Sequence, residues 1–228
     1  MDHLGALRAG YKEFRKEGFK KKQALYEKLA TNGQDPKFML IACCDSRVNP
    51  FAIYGADPGD LFIVRNVANL VPPYSTGETH HGTSSAIEFG IKVLGIKTII
   101  IMGHSGCGGI KAIADQTVDA PIEGEFIGPW IEIAQEACQS VDEKHPLITG
   151  EERHGEIERE SVIFSLKNLL SFPFIAERVW GQGLTLLGTH FDIQTGTLSA
   201  YDPVQGCFHP FDEEPASKRT DRFPLYEP

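Results

Sequence analysis

No run of apolar residues in this chain approaches the ~20 that a bilayer-spanning helix needs, so no membrane partner is expected. Cysteine is scarce. Five in 228 residues, an odd number, do not make the dense, even framework of a small secreted fold. Positive charge is in deficit: 22 Lys and Arg against 31 Asp and Glu leave a net charge of −9. That balance argues against a nucleic-acid partner, which needs a basic face. Lys20-Lys21-Lys22 reads instead as the solvated side of a helix. The N-terminal residues Met1-Asp2-His3-Leu4 lack an apolar signal-peptide core, and the expected compartment is the cytoplasm. Repeats and low-complexity segments are absent. So are the GxxxxGK[ST] and GxGxxG loops, although a Gly-rich turn at 103–109 opening a helix could otherwise suggest a phosphate site.

What is present converges on two stretches far apart in the chain. Cys43-Cys44-Asp45-Ser46-Arg47 follows the apolar run 38–42, and His104-Ser105-Gly106-Cys107-Gly108-Gly109 follows the apolar run 98–102. Open α/β sheets place their chemistry at strand ends. Two sulfurs and one ring nitrogen make a three-ligand zinc set with a fourth position free, the catalytic pattern rather than the structural one. Side chains alternate in extended backbone, so Cys43, Asp45 and Arg47 share a face and Cys44 points away. If Asp45 works beside the metal, the ligands are Cys43, His104 and Cys107.

Around these stretches the periodicity predicts an α/β fold. It has a mostly parallel central sheet with an antiparallel edge strand, flanking helices and an N-terminal helical arm. Residues 2–32 are expected as two helices broken near Gly18, with Asn32-Gly33 stopping the second. Strands are expected at 38–43, 61–64, 98–102 and 184–188. A hairpin over 191–198 turns at Thr195-Gly196. Helices are expected at 48–54, 84–94, 108–114, 127–137 and 151–171. Arg65 should emerge at a strand end in a salt bridge, and Cys138 should be a small core hydrophobe. Residues 70–83 read as a loop. Its His80 and His81 are surface imidazoles, with proton transfer to buffer as the functional alternative. The whole, 1–228, reads as one domain: arm 1–33, α/β core 34–202, tail 203–228.

Cys43-x-Asp45-Ser46-Arg47 with His104-x-x-Cys107 resembles the zinc signature of the β-class carbonic anhydrases. The similarity continues through 57–69, Ala86-Ile87-Glu88-Phe89 and Gly108-Gly109-Ile110-Lys111. It implies one Zn2+ per chain and reversible hydration of CO2 to bicarbonate and a proton by zinc-bound hydroxide. It also implies a homodimer or higher homo-oligomer with active sites at the dimer interface, the arm wrapping the partner. Gln34-x-Pro36-Lys37 looks like the plant-type branch, whose glutamine hydrogen-bonds substrate from across that interface. Substrate contacts are implied at Gln34, Phe62, Val67, Phe89 and Gly108. Phe89 departs from the tyrosine usual there. Leu40 stands where a bicarbonate-inhibited branch carries tryptophan, so no such regulation is expected.

Zinc lowers the pKa of its water, as it does in carbonic anhydrases built on three histidines. Two thiolates cancel the formal charge of Zn2+ and donate more electron density than imidazoles, which makes that activation harder. The compensating catalytic pair is assigned to Asp45, as hydrogen-bond acceptor, and Arg47, as the two-pronged partner that keeps it ionised. In some β-class enzymes the aspartate instead becomes the fourth ligand at low pH. Hydrolysis of COS or CS2 on the same site is the alternative activity. A non-catalytic bicarbonate sensor or redox protein is the alternative class.

Overall fold

The computed structural model describes residues 3–77, 81–117, 122 and 124–213. Its centre is the apolar strand β1 (Phe38–Cys43), buried from its second residue onward. A strand buried on both faces belongs inside a parallel sheet. β1 lies between β2 (Leu61–Asn66) and β3 (Thr98–His104), parallel to both. β4 (Thr185–Phe191) extends the parallel set beside β3. β5 (Leu198–Asp202) and β6 (Cys207–Pro210) then pair antiparallel, giving the order β2-β1-β3-β4-β5-β6.

The pleat divides the core. Met39, Ile41, Ile99 and Ile101 share one cluster with Ile87, Val162, Leu166 and Ile175. Leu40, Ala42, Ile100 and Met102 share another with Val48, Ile53 and Tyr54. Leu40 is fully buried.

Helices fill the connections. The arm comprises α1 (His3–Glu13), a π-turn Phe14–Gly18, α2 (Phe19–Lys21) and α3 (Gln23–Asn32). The chain stays helical through Gly18, at φ −62° and ψ −49°, and breaks instead at Lys22, at φ −116° and ψ 14°. The expected break at glycine is thus displaced by four residues: a π-turn absorbs Gly18 within the helix. After the arm come α4 (Pro50–Ile53) and α5 (Gly82–Glu88), the latter running into a π-turn Phe89–Val93. α6 (Gly108–Ala114) falls where its Gly-rich start predicts. The single helix expected over 127–137 is instead α7 (Ile127–Ile131), a 3-10 turn Glu132–Ala134 and the start of α8 (Gln135–Lys144). α9 (Gly150–Leu170) carries Glu151 and Glu152 in its first turn and Lys167 in its last, each favourable to the helix dipole. α10 (Pro173–Gly181), opened by proline at its first position, is an element that the apolar pattern does not single out. Likewise β6 carries the sheet past residue 202. No helix among the described residues is long and apolar enough to cross a membrane.

α9 lies against β3 and β4 because both strands lack a side chain where it crosses. A Cβ on Gly188 would stand 2.8 Å from Val162 Cγ1 and 2.9 Å from Leu166 Cδ1, both in fully buried side chains. We expect Gly188→Ala to lower stability by about 1–3 kcal/mol, the usual cost of overpacking a core. Chemical denaturation checks this; an unchanged unfolding midpoint would show that α9 can move away freely.

Candidate metal centre

The parallel register of β1 and β3, with Ala42 opposite Met102, sets Cys43 and His104 at neighbouring strand ends. From His104 the chain turns through Gly106, at φ +66°, a conformation that favours glycine. Cys107 then sits at the N-cap of α6. The turn returns the Cys107 sulfur toward Cys43, and the two Sγ atoms lie 4.0 Å apart. One donor atom each from Cys43, His104 and Cys107 falls within 4.8 Å of the others, and all three residues are buried.

The donor set fits a divalent cation. His104 Nδ1 donates to the carbonyl of Ser105 at 3.0 Å, which leaves the Nε2 lone pair free. That buried Nε2 has no hydrogen-bond partner, the arrangement expected of a metal-binding imidazole whose other nitrogen is held from behind. The two sulfurs lie within hydrogen-bond reach of each other. The bond from Cys107 draws the Cys43 thiol down, and the same bond, with burial, pushes Cys107 up. A cation between them would take the place of that bond. Burial works against charge on His104, but its contacts with Cys43 and the Ser105 carbonyl carry its pKa upward. Cys44 is exposed and lies just past the end of β1, so strand alternation does not extend to it. Cys138 is buried in the core beside the centre, and burial pushes its thiol up to about 11.

Asp45 stands against this cluster, with Oδ2 4.0 Å from His104 Nε2. Arg47 holds it in a fork: Nε donates to Oδ1 at 3.0 Å and Nη2 to Oδ2 at 2.7 Å. The Arg47 amide adds a third bond to Oδ1 at 2.9 Å. These bonds hold the carboxyl well below the usual carboxylate range. Arg47 Nη2 also donates to the Gly106 carbonyl at 2.8 Å, tying the two strand-end segments together.

Arg65 corrects the expectation of a salt bridge at a strand end. β2 continues to Asn66, and the guanidinium donates to backbone: to the Cys43 carbonyl at 2.7 and 2.9 Å, to Asp45 at 2.7 Å and to Val48 at 2.9 Å. One side chain thus holds three carbonyls of the first segment, those of Cys43, Asp45 and Val48. A second feature lies just beyond. Ala68 and Asn69 have φ of +62° and +50°, a strained conformation for residues with a Cβ. The Asn66 amide bridges this turn, donating to the Leu70 carbonyl and accepting from its N–H. Trp130 Nε1 anchors it through the Val67 carbonyl at 2.8 Å. Gly109 lets α6 settle onto it, since a Cβ there would meet Val67 Cγ1 at 2.8 Å.

The remaining expected site residues divide into two groups. Val67 lies in this turn and Gly108 opens α6 beside Cys107. Phe62 and Phe89 stack at 5.9 Å between ring centroids, with Phe89 42% exposed. Phe62 is opposite Met39, four residues before the Cys43 level, so the aromatic pair sits roughly 13 Å down the strand at ~3.3 Å per residue. Gln34 is exposed in the connection before β1, farther still from Cys43 along the chain. Three of the expected substrate residues therefore lie at the far end of β1 and β2 from the candidate metal ligands of their own chain. His80 lies outside the described residues; His81 Nε2 bonds the Gly77 carbonyl at 3.3 Å.

The carbonic anhydrase family profile matches residues 38–198. Beta carbonic anhydrase 3 of Arabidopsis thaliana is 40% identical over 205 residues, 89% of this chain and 78% of that protein. The solved structure of the β-carbonic anhydrase CcaA superposes with a TM-score of 0.86 at 32% identity, covering 96% of this chain and 94% of that one. A structure from a study of two tetrameric β-carbonic anhydrases of the filamentous ascomycete Sordaria macrospora gives 0.77 at 28% identity, covering 92% and 100%.

We expect Arg65→Ala to free the three carbonyls and speed amide exchange over 44–48 by about tenfold or more, the loss of at least one charge-assisted bond. Hydrogen exchange read by mass spectrometry tests this. Unchanged protection would mean that the segment holds its shape without the guanidinium.

Proposed function

The chain belongs to the β-class carbonic anhydrases, and from that membership we propose that it reversibly hydrates CO2 to bicarbonate and a proton on one Zn2+ per chain. The observation that carries the reading is the buried Cys43–His104–Cys107 set, whose donor atoms lie within 4.8 Å of one another and whose imidazole Nε2 has no hydrogen-bond partner. When bound, Zn2+ supplies the Lewis acidity that makes water a nucleophile near neutral pH. Cys43 and Cys107 would hold the ion as thiolates and His104 through Nε2. Asp45 Oδ2 accepts a hydrogen bond from the attacking oxygen and orients it. With its proton affinity depressed by Arg47, this carboxylate is suited to accept a hydrogen bond rather than keep a proton. Val67 and Gly108 border the space where CO2 meets that oxygen.

Gln34, Phe62 and Phe89 enter the same scheme through a second copy of the chain. Their position at the opposite end of β1 and β2 supports a role at a neighbour's metal centre. Gln34 of the partner subunit then offers its amide N–H to a CO2 or bicarbonate oxygen without adding charge, and the stacked rings make an apolar wall. A homodimer or higher homo-oligomer, in line with the tetrameric Sordaria relatives, follows from this arrangement. The thiolate ligands suit a reducing compartment such as the cytoplasm.

We expect purified protein to carry about one zinc per chain, in the catalytic three-ligand pattern, and to hydrate CO2 in a stopped-flow assay. Cys107→Ser should lose the metal, and Asp45→Asn should keep it while kcat/KM falls roughly hundredfold or more. Zinc-loaded protein inert to CO2 but active on COS or CS2 would replace the reaction and keep the site. The shared-site arrangement has its own test. Chains carrying Cys107→Ser and chains carrying Gln34→Ala should each be impaired, and mixed oligomers should regain turnover. No gain on mixing would place Gln34 outside the partner's site.

A further inference from the structure

A buried carboxylate that the mechanism does not use lies directly behind the metal ligands. Glu158, in the middle of α9, is 4% exposed, a costly place for a charge without partners. Its Oε1 accepts the N–H of Cys107 at 2.8 Å. Its Oε2 lies 3.5 Å from Nε2 of the buried His190 on β4. Cys107 is itself 1% exposed, and its amide, at the helix N-cap, has no acceptor within α6.

The Cys107 N–H and the Gly106 carbonyl belong to one peptide group. Arg47 donates to its oxygen at 2.8 Å and Glu158 accepts from its nitrogen. A cation and an anion thus grip opposite ends of the same peptide plane. That plane fixes ψ of Gly106 and φ of Cys107, and so the direction in which the Cys107 sulfur leaves the backbone. Gly106, at φ +66°, is the residue about which such a plane turns most freely. Flipping it would turn the carbonyl toward the carboxylate and the N–H toward the guanidinium, so both charges oppose the flip.

Gly103 admits the carboxylate to this place. A Cβ on Gly103 would meet Val162 Cγ2 at 2.7 Å, His190 Cδ2 at 3.5 Å and the Glu158 carbonyl at 3.6 Å. With no side chain there, α9 approaches the end of β3 closely enough for Glu158 to pass beneath the turn. His190, paired with Gly103 across the sheet, closes the space behind it.

We propose that Glu158 is a positioning residue of the metal centre, locking the 106–107 peptide so that Cys107 faces the cation. This rests on the zinc reading above and adds a residue that touches neither substrate nor metal. The test is zinc affinity by chelator competition, with the thiolate-to-metal absorption of the cobalt-substituted protein as a second readout. Glu158→Ala should weaken zinc about tenfold to hundredfold, as loss of an outer partner does, and should shift the cobalt band. Glu158→Gln keeps an oxygen for the Cys107 amide and should hold zinc close to the parent value. Glu158→Asp keeps the charge but withdraws it by one methylene, and should weaken zinc even if the alanine variant fails to fold. Glu160→Gln is the control. It removes a charge from another buried side chain on α9, one bonded to Ser140 and Lys144 and outside the centre, and zinc affinity should not change.

Parent-like affinity and cobalt spectra in both Glu158→Ala and Glu158→Asp would overturn the assignment alone. So would an equal loss in Glu160→Gln, which would mean a general weakening of α9. A parent protein that binds no zinc would overturn the zinc reading itself, and this assignment with it.

Discussion

Arg47 touches both halves of the centre. It forks onto Asp45 in the segment after β1 and reaches the Gly106 carbonyl in the turn after β3. The candidate ligands come from residues 43, 104 and 107, and nothing local brings the first to the others. The parallel register of β1 and β3 sets the coarse distance. The guanidinium then joins the two segments at the scale on which coordination is decided. Arg47 also keeps Asp45 ionised beside the site, so one side chain serves geometry and electrostatics together. A lysine could supply the charge but not the fork.

The surrounding structure bears the cost of this arrangement. A buried thiolate needs compensating contacts: the Cys107 thiol is the main one that lowers Cys43, and the Ala68 amide of the turn at 67–69 adds to it. That turn contains two non-glycine residues with positive φ. Such strain persists only where neighbours over-determine it. Here the Asn66 amide, Trp130 and the side-chain-free surface of Gly109 do so. A similar logic holds on the other side of β3, where Gly103 and Gly188 admit α9 and with it Glu158. Glycines near the centre thus act less as flexible joints than as places where backbone and helix come unusually close.

Residues whose role depends on local pattern were legible before the fold was known. Cys43, Asp45 and Arg47 are close neighbours in sequence at the end of β1, and His104 and Cys107 are separated by a turn; both are short-range facts, although β1 ends at Cys43 and the expected alternation does not reach Asp45 or Arg47. The sheet core followed from uninterrupted apolar runs. Residues that act over long sequence distances were not legible. Arg65 looked like a strand-end ion pair because its partners are carbonyls, which carry no side-chain signature. Glu158 is an unremarkable helical glutamate until α9 is laid across Gly103. The grouping of Gln34 with Phe62 and Phe89 away from the metal ligands is a matter of strand register that periodicity does not give. Gly18 does not break the arm because a π-turn carries this glycine within the helix, and no capping pattern announces it.

The central claim is that two sulfurs and one imidazole nitrogen share a single divalent cation with one position left for a light-atom ligand. X-ray absorption at the zinc edge of the purified protein tests it most directly. The account requires two sulfur neighbours at ~2.3 Å and two nitrogen or oxygen neighbours at ~2.0–2.1 Å. A shell of four sulfurs, or one of nitrogen and oxygen alone, would contradict it.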